Sequence, residues 1–132
     1  MVSISGLPAF LAYFAAALVL VGLYLAVYLT ATPHREIALV RANNAAAATA
    51  LGASLVGYAL PLAVAIYNAQ SLLDCIIWGL VALVVQILIC WLVRMLLPDL
   101  SRRIADGEMA AAILLAAASL AGGLVDAASM TY

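Results

Sequence analysis

Ser54, Gln86, Ser119 and Asp126 are the residues whose chemistry most needs explaining, because each interrupts a run of otherwise apolar sequence. A hydroxyl or carboxamide inside an apolar helix either hydrogen-bonds a neighbouring helix or lines a hydrated path. For a carboxylate such as Asp126 the alternatives are hydration close to the helix end or a functional role facing a bundle interior. Other candidates for chemistry are few. Cys75 and Cys90 share one predicted helix and stand about 22 Å apart by helix rise, too far for a disulfide within the chain. They read as small apolar residues outside any metal or redox motif. His34 is alone in its loop, whereas zinc needs three or four ligands. The phrase SLLD at 71–74 has the form of a capping box, with Ser71 as N-cap and Asp74 supporting the start of the next helix. No Ser/His/Asp set, glycine-rich phosphate loop or metal-ligand spacing occurs. The sequence therefore assigns no catalytic residue, cofactor or metal, and the chain reads as non-enzymatic.

The elements that must hold these residues follow from composition. Of the 132 residues, 70% are hydrophobic and 8% charged, with a mean hydropathy of +1.26. A soluble domain carries about 25% charged residues, and a chain this short could not hide so much apolar surface from water. Membrane lipid is its solvent. The net charge of −1 and the lack of a basic patch argue against nucleic acid as a partner. Charges and prolines divide the chain into apolar runs that match the ~20 residues needed to cross a bilayer. They predict an all-α membrane protein with four transmembrane helices at 7–31, 44–66, 73–96 and 109–130. No run alternates with period two, which excludes a membrane β-barrel. The first run lacks a basic lead-in and exceeds a signal-peptide core, so it reads as a retained span.

Residues 44–63, NAAAATALGASLVGYALPLA, return in altered form at 109–128, MAAAILLAAASLAGGLVDAA. Ala45, Ala46, Ala47, Ala53, Ser54, Leu55, Gly57 and Ala63 align with Ala110, Ala111, Ala112, Ala118, Ser119, Leu120, Gly122 and Ala128. The same offset pairs Pro33 with Pro98 and Tyr13 with Trp78, and REIA at 35–38 is echoed by RRIA at 102–105. Such self-similarity marks a repeat, predicted here as two parallel two-helix units, 1–66 and 67–132, in a single membrane domain. A unit with two spans returns to its starting side, so both copies insert the same way up. Arg35, Arg41, Arg94, Arg102 and Arg103 all sit in or beside the first and third loops. The positive-inside rule then puts those loops in the cytoplasm and both termini outside. Tyr67, Trp78 and Tyr132 fall near the outer interface and Trp91 near the inner one, as an aromatic belt would have them. Arg94 is placed to snorkel toward phosphate level.

The second and fourth helices are written mainly in Gly, Ala and Ser, the first and third in bulkier residues. Lipid gives apolar side chains no reason to leave it for one another, so helices associate by close packing and interhelical hydrogen bonds, which small residues permit. The two small-residue helices are thus expected at the centre, packed through Gly57 and Gly122. Pro61 occupies the repeat position of Asp126 and frees the carbonyl of Gly57 within its helix.

Several phrases in one order, TPHRE at 32–36, NNAAA at 43–47, LGASLVGYALPLA at 51–63, WGLVALVVQ at 78–86, VRMLLPDLS at 93–101 and LAGG at 120–123 running to the terminal MTY, resemble the YjfL-like family of small bacterial inner-membrane proteins, domain of unknown function 350. The resemblance covers nearly the whole chain and implies a multi-pass inner-membrane protein without an established activity. Genes of that family often lie near those of phage-shock-type membrane-stress proteins and ATP-grasp ligases, which implies envelope-stress membrane-associated proteins as partners. The family pattern usually has asparagine where this chain has Asp126, which implies a hydrogen-bonding role rather than a fixed charge. Two functions follow as expectations. The first is a non-enzymatic, homo-oligomeric membrane component or scaffold in envelope homeostasis. The alternative is a small oligomeric ion channel or transporter whose path is lined by Ser54, Gln86, Ser119 and Asp126.

Overall fold

The computed structural model describes residues 3–31, 36–97 and 99–130. Pro33, His34, Arg35, Pro98 and Tyr132, on which parts of the sequence reading rest, lie outside the described residues. Those residues form six helices and no strand. Four are long and apolar enough to cross a membrane: α1 (Ser3–Ala31), α3 (Ala45–Asn68), α4 (Leu72–Leu96) and α6 (Met109–Ser129). Two short ones, α2 (Glu36–Arg41) and α5 (Leu100–Ala105), occupy the loops that carry most of the arginines. The ends of α3, α4 and α6 lie within two residues of the sequence-based limits. Helix α1 departs by starting at Ser3 and running through Pro8. A proline this close to a helix start removes a single backbone bond near a frayed end, so the helix continues past it.

Each junction has a local cause. Asn44 caps α3, its Oδ1 accepting from the Ala47 amide at 3.0 Å. Ser71 caps α4, its hydroxyl accepting from the Asp74 amide at 3.1 Å, while Asp74 Oδ2 accepts from the Gln70 amide at 3.2 Å. The carboxylate thus reaches back one residue before the cap, a variant of the capping box. The two short helices end alike. Asn43 and Gly107 adopt φ of 66° and 83°, and each is followed by an amide bonded five residues back, Asn44 to the Leu39 carbonyl and Glu108 to the Arg103 carbonyl, both at 2.9 Å. That pair of features is a Schellman motif, which needs Gly or Asn at the left-handed position.

Helices α3 and α6 share the most extensive contact in the bundle, and α4 packs against both. In α1 only 11% of the apolar window is buried, against 44% in α3 and 33% in each of α4 and α6. The small-residue helices are central. Helix α4 turns large residues such as Leu80, Val84, Leu88 and Leu92 outward, and it also buries an inward stripe of Cys75, Gly79, Ala82, Leu83, Gln86, Cys90 and Val93. Spacing, not average side-chain size, decides which face a helix can bury. Under the bundle, Leu100 and Ile104 of α5 are fully buried. Asn44 Nδ2 donates to the carbonyls of Ile104 at 3.3 Å and Ala105 at 3.0 Å, so one side chain caps α3 and ties α5 to it.

Replacing Asn44 with Ala removes the cap and both tethers. We expect Asn44→Ala to cost about 1–2 kcal/mol, the upper part of the usual range for a lost N-cap, read as a lower thermal midpoint in detergent. Asn43→Gly, at the same junction, suits its positive φ and should hold or raise that midpoint. Equal midpoints for Asn44→Ala and the unmodified protein would contradict the tether.

Candidate functional site

Ser54, Gln86 and Ser119 meet where α3 and α6 cross. The crossing is possible because two glycines face each other. A methyl group built on Gly123 would run into the backbone of Gly57, and one built on Gly57 would meet the Ser119 carbonyl and lie 2.6 Å from Gln86 Nε2. Neither helix backbone can give way cheaply, so both positions require the missing Cβ. Close approach leaves a slot into which α4 projects Gln86, whose Nε2 donates to the Ser119 carbonyl at 2.9 Å. That carbonyl belongs to the α6 backbone, so the amide adds a third helix to the α3–α6 pair.

One turn along α4, Cys90 brings its sulfur to 3.9 Å from Ser119 Oγ. Tyr24 of α1 hydrogen-bonds Ser54 Oγ, so all four spans contribute to one layer. The Tyr24 ring stacks on Tyr58 with centroids 4.6 Å apart and planes inclined by 8°. Tyr58 in turn donates to the Gly79 carbonyl at 2.9 Å. Leu20 of α1 fills the notch left by Gly79, its Cδ1 lying 2.6 Å from where a Cβ would stand. Buried hydroxyls and amides in lipid need such partners, and interhelical bonds of this type average about 0.6 kcal/mol and reach about 1.7.

Ser54, Gln86 and Ser119 are therefore brought together, each with no exposed surface. Asp126 is not with them. It lies two turns further along α6, about 10 Å by helix rise, is partly buried, and has an enclosed Oδ2 with no hydrogen-bond partner among the described residues. Gln86 Oε1 is likewise enclosed and without a partner among the described residues. Pro61 is buried inside α3, which continues as a helix on both sides of it. Gly122 does not sit on the backbone contact. A Cβ there meets the end of the Ile89 side chain, and the close approach belongs to Gly123. Adjacent residues on a helix point about 100° apart, so the one-residue difference moves the position from one neighbour, α4, to another, α3.

Sequence reasoning also missed the tyrosines. Tyr24, Tyr28 and Tyr58 are fully buried, although tyrosines near span ends suggested an interfacial role. The available signal was position, since Tyr24 and Tyr58 lie well inside their apolar runs, where a phenol must find a partner. Among the described residues no group of three or more His, Cys, Asp and Glu side chains could hold a metal ion.

The chain matches, over residues 1–130, the family described as Domain of Unknown Function (DUF350). It is 41% identical over 129 residues to the UPF0719 inner membrane protein YjfL of Escherichia coli strain K12, with 98% of each chain covered, and equally similar to its counterpart in Escherichia coli O157:H7. No solved structure matches it. An inner-membrane relative and four apolar helices together support a multi-pass inner-membrane location.

The crossing makes a sharp comparison possible between neighbouring glycines. Gly123→Ala drives a methyl group into backbone and should cost about 1–3 kcal/mol, the usual penalty of overpacking. Gly122→Ala meets the Ile89 side chain, Cδ1 first, rather than backbone, and should cost less. Thermal midpoints of both variants in the same detergent check the order. A larger loss from Gly122→Ala would mean that the helices cross elsewhere.

Proposed function

We propose that this chain, which belongs to the DUF350 family, is a non-enzymatic, homo-oligomeric component of the inner membrane that acts as a scaffold in envelope homeostasis. The observation that carries this reading is how the buried polar groups are used. Tyr24, Ser54, Gln86, Cys90 and Ser119 bond to one another and to backbone across four helices, as interhelical contacts do in packed bundles. Self-association draws support from α1, whose outward side is largely uncovered within one chain and includes Gly6 and Gly22, where an added Cβ meets nothing within 4 Å. Small residues on a lipid-facing helix allow a second helix to approach closely. Action beside envelope-stress proteins rests on the family resemblance alone.

In the same reading the bundle is a duplicated two-helix unit, 1–66 and 67–132, inserted twice the same way up. Support comes from the matched junctions: a short helix, a Schellman motif at Asn43 or Gly107, then a small-residue span beginning two residues later at Ala45 or Met109. With the arginine-bearing loops cytoplasmic, both termini face outward. Cysteines introduced at Asn68 and Asp106, with Cys75 and Cys90 replaced by Ser, test this orientation. An impermeant thiol reagent should label position 68 in intact spheroplasts and position 106 only after lysis. The reverse order would overturn it.

A channel is the second reading, favoured by the enclosed, unpartnered oxygens of Gln86 and Asp126. Reconstituted vesicles distinguish the two. The scaffold reading expects a defined oligomer in lipid nanodiscs by native mass spectrometry and no ion flux above protein-free vesicles. Flux that falls in Asp126→Asn while the thermal midpoint stays unchanged would replace the scaffold with the channel.

A further inference from the structure

At the end of the bundle opposite the arginine-bearing loops, a cavity of about 350 Å³ is lined by Val64, Ala65, Asn68, Gln70, Asp74, Trp78 and Met130. Ala65 and Met130 are its buried inner wall, Asn68 and Gln70 its exposed rim, with Asp74 and Trp78 half-buried between them. Its volume is that of a small-molecule site rather than a packing defect. The one formal charge among its lining residues is negative. Asp74 supplies a carboxylate, and the C-termini of both α3 and α6 end beside it, each bringing carbonyls unpaired within the helix and the negative end of a helix dipole. The opposing N-terminus is that of α4, and Asp74 lies in its first turn. No basic side chain of this protein can answer that charge. The chain has no lysine, and all five arginines belong to the other two loops and their flanks.

We infer that this cavity binds an alkylammonium group, held by the Asp74 carboxylate and the Trp78 indole. Asp74 commits one oxygen to the Gln70 amide, and a carboxylate retains further acceptor positions beyond that bond. An indole face attracts an ammonium through its quadrupole, and aromatic walls are the usual partners of substituted ammonium ions. The side-chain oxygens of Asn68 and Gln70 are acceptors for the N–H donors of a primary amine. A hard metal ion suits the cavity less well, since calcium takes about six to eight oxygen ligands and magnesium about six, while a single carboxylate stands here beside an aromatic ring. The cavity lies where the apolar spans α3 and α6 end and α4 begins. Spans of this length match the bilayer core and end near its headgroups, so the ammonium has two sources: the ethanolamine headgroup of a phospholipid or a soluble amine. This inference does not depend on the oligomeric reading above.

The test uses the full chain with Trp91→Phe, which leaves Trp78 as the only tryptophan, in nanodiscs of phosphatidylglycerol. Titration with ethanolamine hydrochloride should change Trp78 emission saturably, while ethylene glycol and matched sodium chloride should not. Asp74→Asn keeps an acceptor for the Gln70 amide but loses the charge, and should weaken ethanolamine binding by about tenfold, the scale of a lost charge-assisted contact. Trp78→Leu, followed by calorimetry, should weaken it by about threefold or more. Asp106→Asn, at the other end of the bundle, should titrate like the parent. A second set of nanodiscs containing phosphatidylethanolamine separates the sources. A lipid ligand will shift Trp78 emission before any titration and abolish the response to soluble ethanolamine, whereas a soluble ligand will titrate alike in both bilayers. Equal affinity in Asp74→Asn overturns the proposal. So does the absence of a saturable response in phosphatidylglycerol together with the same starting emission in both bilayers.

Discussion

The bundle depends on the approach of two backbones, at Gly57 of α3 and Gly123 of α6. In lipid the apolar side chains of these helices gain little by meeting each other, so association has to come from contact distance and from hydrogen bonds. A Cβ at either glycine would collide with backbone of the other helix. With neither present, the helices meet closely enough for Gln86 to bond a carbonyl of α6 from the side of α4. The tyrosine stack and the Cys90–Ser119 contact then extend the layer to α1 and further along α4. Loss of the approach would widen the slot and leave several buried polar groups unpartnered, a greater penalty than the loss of any one bond.

Attachment of α1 is different in kind. It relies on Leu20, Tyr24 and Tyr28, which are buried. Leu20 enters the notch at Gly79, and Tyr24 carries both a stacking face and a hydroxyl partner. A helix held by three anchored side chains presents most of its surface outward, to lipid or to another protein. At the loops the fixing is local: the capped start of α3, two Schellman turns and the Asn44 tether define the angle at which α3 and α6 enter the bundle.

Much of this architecture was legible because charges and prolines interrupt the apolar runs, which set the limits of α3, α4 and α6 to within two residues. Ser54, Gln86 and Ser119 could be placed at similar depth by counting residues along each span. Direction around the helix was harder to read. Gly122 and Gly123 are indistinguishable by composition, and the repeat alignment points to Gly122, yet only Gly123 faces α3. Helix α4 is bulky on average and exposes many large residues, and its composition does not single out the stripe of mostly smaller residues that it buries. The short helices α2 and α5 escaped notice because six residues carry too little periodicity to stand out from a polar loop. What buries Leu100 and Ile104 is tertiary contact, which a local pattern does not contain.

The account turns on the polar layer being a dry contact, and Cys90 is a native reporter placed within it. Cys90 is buried, and its sulfur lies against Ser119. In membranes bearing the Cys75→Ser variant, a small water-soluble methanethiosulfonate reagent should leave Cys90 unmodified over the time that fully labels a cysteine introduced at Asn68, and should modify it once the protein is unfolded in dodecyl sulfate. Labelling of Cys90 in the folded protein at a rate comparable to position 68 would mean that water reaches the centre of the bundle, and would contradict the account.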